Sequence, residues 1–384
     1  MSQPKTIYFD CNATTPLDPQ VREAMLPFLS GVFGNPSSIH HVGQEARSIL
    51  DDARARVAQV WGSKPSEVVF TSGGTESNNL AIFGTARLLR DKGRHLITSR
   101  IEHHAVLHCF EYLEKKEGFS VTYLPVDEEG LVSPDDLGRA IRPETILVSI
   151  MAANNEIGTV QPVGALGEIC RWRGVIFHTD AVQWFGKEPF RCIDQFNADL
   201  VSVCSHKFYG PKGAGALFVR SPLHPDPILF GGGHENERRA GTENMAGIIG
   251  FAEAHSRFIR MPVFSPEALT PLTTRLITCI HSTDGIEFRG SLRQRLANTV
   301  AFTVAGCDSI TLLAGLDLLG ICASSGSACS AGSLEPSHVL LALGVEKPLA
   351  NSLVRFSLGR DSTLKEVESV AEGFLHVIKQ ARCL

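Results

Sequence analysis

The most constraining feature of this chain is an alternation. Short β-branched runs (Val68–Phe70, His95–Thr98, Val121–Leu124, Ile146–Ile150, Val175–Phe177, Leu200–Val203 and Ala216–Val219) fill its first two-thirds. Between many of them lie helix-like stretches: Gly43–Val60, Glu76–Arg90, Ala105–Lys116, Pro134–Ala140 and Leu166–Arg173. Apolar runs this short cannot pair in parallel without crossover helices, so the pattern predicts an α/β large domain with a mostly parallel, seven-stranded sheet flanked by helices. Ligands of such sheets bind beyond the carboxyl ends of the strands, so residues that carry chemistry are expected directly after the apolar runs.

With 384 residues, the chain exceeds one compact core. Its texture changes at Arg260–Pro271, where Pro262, Pro266 and Pro271 interrupt the pattern. We place the large domain at 16–258, and a smaller α+β domain at 1–15 plus 259–384. Strand candidates at Thr299–Val304 and Val354–Ser357 fall in the latter. A net charge of −5 leaves no basic footprint for nucleic acid. The most apolar stretch, Leu312–Ile321, is too short for a membrane span and carries Asp317. The start, MSQPKTIYFD, has no signal-like apolar segment, which predicts a cytoplasmic protein. Ten scattered cysteines include no pair with the two-residue gap of a zinc ribbon, so most read as small buried hydrophobes.

Three strand-end motifs stand out. In TSGGTESNN (71–79), Gly73 and Gly74 let backbone N–H groups converge at a helix start beside Thr75. That arrangement suits an anion, although an ordinary capped helix reads the same way. In HTDAVQ, Asp180 and Gln183 follow a strand; an Asp there is as readily a helix cap. In SVCSHKFYGPKGAGAL, Lys207 ends an apolar run before a glycine-rich turn. Such a lysine is either solvated and inert, or desolvated and nucleophilic. Glu102-His103-His104 supplies imidazole, without metal-ligand spacing. Finally, SSGSACSAGS (324–333) sets Cys329 among residues too small to pack, which reads either as a linker or as a carrier loop built to swing.

Singly these signals are weak; together they match the needs of pyridoxal 5′-phosphate. That cofactor needs an anion cradle, a carboxylate for its pyridine nitrogen, a lysine for its aldehyde and an aromatic face over its ring. At this point the chain resembles the group I cysteine desulfurases of the NifS/IscS type, class V enzymes of fold-type I. The resemblance runs from FDCNATTPLDP (9–19) through FGNPSSIH, FTSGGTESNNLAI, EHHAV, ILVSIMAANNEIGTVQP, HTDAVQ, SHKFYGPKG, GGGHENERRAGTEN and SSGSACSAGSLEPSHVL to VRFSLGR. It implies that Lys207 carries the cofactor and moves protons. Gly74, Thr75 and His206 hold the phosphate, and Asp180 pairs with the ring nitrogen. Gln183 and Asn155 contact the ring-oxygen region, while His103 stacks on the ring and assists proton transfer at the substrate thiol. Arg355 takes the substrate carboxylate, to which Asn155 also contributes. Thr242 reaches the phosphate of a neighbouring subunit, implying a homodimer. Cys329 attacks the sulfur of L-cysteine and hands it on to an acceptor such as an iron–sulfur scaffold protein.

Selenocysteine lysis, another class V reaction and a catalytically silent binding protein are the alternatives. A transaminase has no use for the Cys329 loop, and intact Lys207, Asp180, His103, Arg355 and Cys329 argue against a silent protein. Two positions depart from the family. Cys204 stands where a hydroxyl residue usually helps bind the phosphate, and Cys11 replaces a residue that is often polar. Only 24 residues follow Arg360, fewer than in the scaffold-docking tails of housekeeping members.

Overall fold

The computed structural model describes residues 6–326 and 335–382. In chain order its strands are β1 (Ile7–Tyr8), β2 (Val68–Thr71), β3 (His95–Ser99), β4 (Ser120–Leu124), β5 (Thr145–Ser149), β6 (Ile176–Asp180), β7 (Leu200–Cys204), β8 (Gly215–Val219), β9 (Ile286–Arg289), β10 (Thr299–Val304), β11 (Ile321–Cys322) and β12 (Val354–Ser357). The helices are α1 (Pro19–Met25), α2 (His41–Trp61), α3 (Gly74–Leu89), α4 (His104–Glu117), α5 (Pro134–Ala140), α6 (Val163–Arg173), α7 (Met245–Phe258), α8 (Pro266–His281), α9 (Ser309–Leu318), α10 (His338–Ala342), α11 (Lys347–Ala350) and α12 (Leu364–Ala381).

The central sheet has seven strands in the order β2-β8-β7-β6-β5-β3-β4. All its pairings are parallel except those of β8, which is antiparallel to both β2 and β7. Interior strands such as TILVS and LVSVC are buried at every residue, because helices cover both faces and leave no side for polar alternation. The edge strand β4 (SVTYL) is fully buried only at Leu124. Glycines in the left-handed region, Gly62, Gly118 and Gly174, end α2, α4 and α6 and turn the chain back toward the sheet. Six strands therefore run the same way, and the loops after β2, β3, β5, β6 and β7 open on one side.

A second core gathers around the antiparallel sheet β12-β10-β9. Helix α12 lays Val367, Val370, Ala371, Phe374, Val377 and Ile378 onto it, a stripe at helical spacing, and begins with a Thr363/Glu366 capping box. The rings of Phe302, Phe356 and Phe374 meet there. The proline-rich stretch breaks the pattern only as far as Ser265. Pro266 opens α8, where a missing N–H is harmless, and Pro271 is accommodated inside it.

The segment 9–15 stitches the two sheets together. Cys11 N–H donates to Ser357 O (2.9 Å), Asn12 N–H to Ser357 Oγ (2.9 Å) and Thr15 N–H to His206 O (3.0 Å). It closes one wall of the cleft at the strand ends. Among the described residues, no helix is long and apolar enough to cross a membrane.

Candidate active site

A cavity of about 240 Å³ lies in that cleft. It is lined by nine of the eleven residues singled out from the sequence: Gly74, Thr75, His103, Asn155, Asp180, Gln183, His206, Lys207 and Arg355. Its lower end is the start of α3. Gly73 takes φ 150°, a conformation open to glycine, and among the described residues no side chain caps the helix, whose first residues, Gly74 and Thr75, line the cavity. Glycine is also required next door, since a Cβ on Gly74 would lie 2.7 Å from Val182 Cγ2. The acidic residue of this first turn, Glu76, is neutralised by Arg239 at 2.8 Å. Cys204 forms the back of the cradle: a Cβ on Gly73 would lie 3.8 Å from its sulfur. Burial raises the thiol pKa, against the pull of the Gly74 and His206 N–H groups and the Lys207 charge. Ser205 turns away; a Cβ at Gly210 would collide with its hydroxyl.

Asp180, at the end of β6, is 5% exposed. It accepts from Val182 N–H (3.0 Å) and Asn78 Nδ2 (2.6 Å), and Asn78 Oδ1 is itself buried without a partner among the described residues. Burial raises the Asp180 pKa, opposed by those two donors and by Lys207. A buried carboxylate that forms no ion pair among the described residues fits a protonated ring nitrogen. Lys207 Nζ donates to the carbonyls of Asn12 (2.7 Å) and Ala13 (2.8 Å), and desolvation lowers its pKa. That places an amine closer to its nucleophilic form in the cavity. Together, the uncapped helix start, the unpaired carboxylate and the softened lysine form a donor set that fits pyridoxal phosphate.

His103 is the N-cap of α4, with Nδ1 accepting from Ala105 N–H (3.1 Å). Desolvation, then the Lys207 charge, lower its pKa to about 4. The ring is therefore neutral at pH 7, with its proton on Nε2. His206, also lowered to about 4 by burial, shares Nδ1 with Thr14 Oγ1 (3.1 Å).

At the opposite end, Arg355 on β12 is 1% exposed. Nη1 donates to Asn155 O (2.8 Å) and Gly326 O (2.9 Å), and Nη2 pairs with Asp10 Oδ1 at 2.7 Å. Nε has no partner among the described residues.

Two residues lie elsewhere. Thr242 is exposed and lines a separate cavity of about 190 Å³ with Phe70, Ser72 and Arg239. Cys329 lies outside the described residues. Sequence reasoning missed four groups that the geometry brings in: Asn12, Asp10, Asn78 and Lys187. Asp10 and Asn12 lie inside the quoted motif FDCNATTPLDP, but nothing in their spacing marks a strand end. Lys187 follows Gln183 at i+4, the one signal it offers. Cys11 is buried in the second core, against Tyr209 and Gly359, with its thiol pushed up to about 12 by burial.

Residues 7–370 match the aminotransferase class-V family. The chain is 47% identical over 381 residues to a cysteine desulfurase IscS of Dictyoglomus turgidum, covering 99% of this chain and 96% of that one. It is likewise 47% identical to a cysteine desulfurase IscS of Methanosarcina thermophila, over 98% of this chain and 93% of the relative. A solved NifS-like protein superposes with a TM-score of 0.91 at 36% identity, covering 98% of this chain and all of the other. The chain therefore belongs to the class-V aminotransferases, pyridoxal-phosphate enzymes of fold-type I. Within them it is one of the IscS/NifS-like cysteine desulfurases.

Proposed function

We propose that this chain removes the sulfur of L-cysteine, releases L-alanine, and holds the sulfur as a persulfide on Cys329 for transfer to an acceptor protein. The observation that carries this reading is the convergence of an uncapped helix start, a buried carboxylate, a desolvated lysine and a buried arginine on one cavity. Gly74, Thr75 and His206 bind the cofactor phosphate, and Asp180 holds a proton on the ring nitrogen. Gln183 and Asn155 would hold the ring-oxygen side of the cofactor, His103 would lie against its ring, and Lys207 would supply the amine for its aldehyde. Bound there, pyridoxal phosphate supplies an electron sink for the pair left when the substrate α-proton departs.

Lys207 Nζ takes that proton, and Arg355, with Asn155, orients the substrate carboxylate. Cys329 Sγ, as thiolate, attacks the substrate sulfur; an S–S bond forms and the C–S bond breaks. Protonation of the β-carbon and return of a proton to the α-carbon from Lys207 complete alanine, so atoms balance without an external oxidant. Thr242, exposed outside the cavity, contacts the phosphate in the neighbouring subunit of a homodimer. The division at residue 258 separates the domain holding the cofactor from the one carrying Cys329. We place the enzyme in the cytoplasm, with an iron–sulfur scaffold-type protein as acceptor.

The test uses the purified protein with cofactor, L-cysteine and a reductant. Alanine and sulfide are expected in equal amounts. Cys329→Ala should keep the yellow cofactor and lose sulfide release; wild-type sulfide release from that variant overturns the assignment of the nucleophile.

A further inference from the structure

Lys187 is 1% exposed, and no carboxylate pairs with it among the described residues. Its Nζ donates to Asn12 Oδ1 (2.6 Å) and to Gln183 Oε1, and lies 5.3 Å from the centre of the Phe264 ring. A lysine buried without a counter-ion is expensive, and packing alone would be served by an apolar side chain. Its partners show what it contributes. A side-chain amide can face a neighbour with either end, and Lys187, although burial lowers its pKa well below the ordinary lysine range, meets both amides through N–H groups. Both amides therefore turn their oxygens to it.

That requirement sets both amides. Asn12 receives donors on Oδ1 from Lys187 and Asn298 (3.0 Å), so its Nδ2 points to Thr299 Oγ1 (2.8 Å) and Asn155 O (3.2 Å). Gln183 receives Lys187 on Oε1, so its Nε2 turns away and donates one hydrogen to Asn12 O (2.9 Å), the carbonyl that also holds Lys207. The second Nε2 hydrogen is left for the cavity that Gln183 lines.

We infer that Lys187 is a positioning residue: by fixing the Gln183 amide, it makes that side chain present an N–H, rather than a carbonyl, to the oxygen-bearing edge of the cofactor ring. The inference rests on the cofactor reading above. A donor there stabilises negative charge on the ring oxygen, so the proton shared between that oxygen and the Lys207 nitrogen leaves more readily. Lys207, Cys11 and Arg355 are the other titratable groups facing Lys187, and Cys204, Arg355, Asp10 and Asp180 face Lys207; all stay unchanged in the variants below.

The test compares Lys187→Met, Gln183→Ala and the double variant. One readout is the equilibrium affinity of the apo-protein for pyridoxal phosphate. The other is the pH midpoint of the visible band of the bound cofactor. Lys187→Met should weaken cofactor binding about tenfold, the scale of one buried hydrogen bond, and raise the midpoint. In the Gln183→Ala background, the same substitution should move the midpoint far less, because the amide it orients is gone. An equal rise in both backgrounds would mean that Lys187 acts directly by its charge, and would overturn the inference. Failure of cofactor binding in the unsubstituted protein would instead defeat the underlying reading. If Lys187→Met does not fold, Lys187→Gln decides. Its amide is shorter and carries two donors beside an acceptor oxygen, so it holds the two partners less firmly and a smaller rise is expected; wild-type values in both readouts overturn the assignment.

Discussion

The two ends of the cavity solve different problems. At the α3 end the donors are only weakly engaged: among the described residues no side chain caps the helix, and the Gly74 N–H meets the Cys204 thiol, a weak acceptor. At the β12 end the guanidinium of Arg355 is already engaged by Asp10 and by the carbonyls of Asn155 and Gly326. We read the first end as built to hold a ligand that stays, since a dianion there has only a weak thiol contact to displace. The second is built to hold one that leaves, since an incoming carboxylate must share Arg355 with Asp10. On the proposed reading, the difference separates a resident phosphate from a substrate that turns over.

Lys207 stands between the two ends, and its removal should have the largest effect. Lys207→Ala is expected to lower kcat about 10⁴-fold or more, since both the covalent link and the proton carrier go. The α3 end remains intact, so cofactor should still bind, weakly and with an altered visible spectrum. An unchanged spectrum would show that another group anchors the cofactor.

His103 should come next. Replacing it with Ala is expected to reduce kcat about 10²-fold, the usual range for a positioned acid or base. Its pKa, lowered to about 4 by burial and Lys207, fixes the sign of the pH effect. The ring is neutral above pH 4 and gains a proton only below it. Activity should thus show no His103 limb between pH 5 and 7, and should fall on the acid side near 4. A limb near 6.5 that disappears in His103→Ala would show that the ring is more solvated than its burial implies.

The α3 end was legible in the sequence and the β12 end only partly so, for a physical reason. Strand-end chemistry in a parallel sheet is local: Gly74, Asp180 and Lys207 each follow their own apolar run, so spacing alone nominates them. Strands β10 and β12 were likewise readable within their stated bounds. Asp10, Asn12, Asn78 and Lys187 act across the fold. Asp10 meets Arg355 345 residues away, and Lys187 meets Asn12 175 residues away. No periodicity encodes such pairings. The two-residue strands β1 and β11 are also invisible in a pattern, because they exist only by pairing with each other.

Arg355 and Asp10 test the comparison directly. Arg355→Lys should raise KM for L-cysteine about tenfold or more with a smaller change in kcat, because an ammonium cannot reproduce the planar fork. Asp10→Asn keeps an oxygen for Nη2 but removes the competing charge. It should lower KM about threefold, the scale of one weakened ion pair. A rise in KM for Asp10→Asn would mean that Asp10 only orients the arginine, and the distinction between an open end and an occupied end would fail.

The smallest effect is expected at the α3 end, from Cys204→Ser. The thiol is buried against Gly73 and Gly74, with the Gly74 N–H directed at it, and its pKa is raised, so it enters the cradle as a weak, uncharged donor. A hydroxyl is smaller and a stronger donor. Ser205 is turned toward Gly210 and does not supply that donor in its place. Cys204→Ser should therefore tighten cofactor binding about threefold, roughly half of a typical net hydrogen bond, and leave KM for L-cysteine unchanged. Weaker cofactor binding would show that the cradle is fitted to the larger sulfur. A shift in KM would show that the two ends are coupled, and the separation argued from Arg355 would have to be given up.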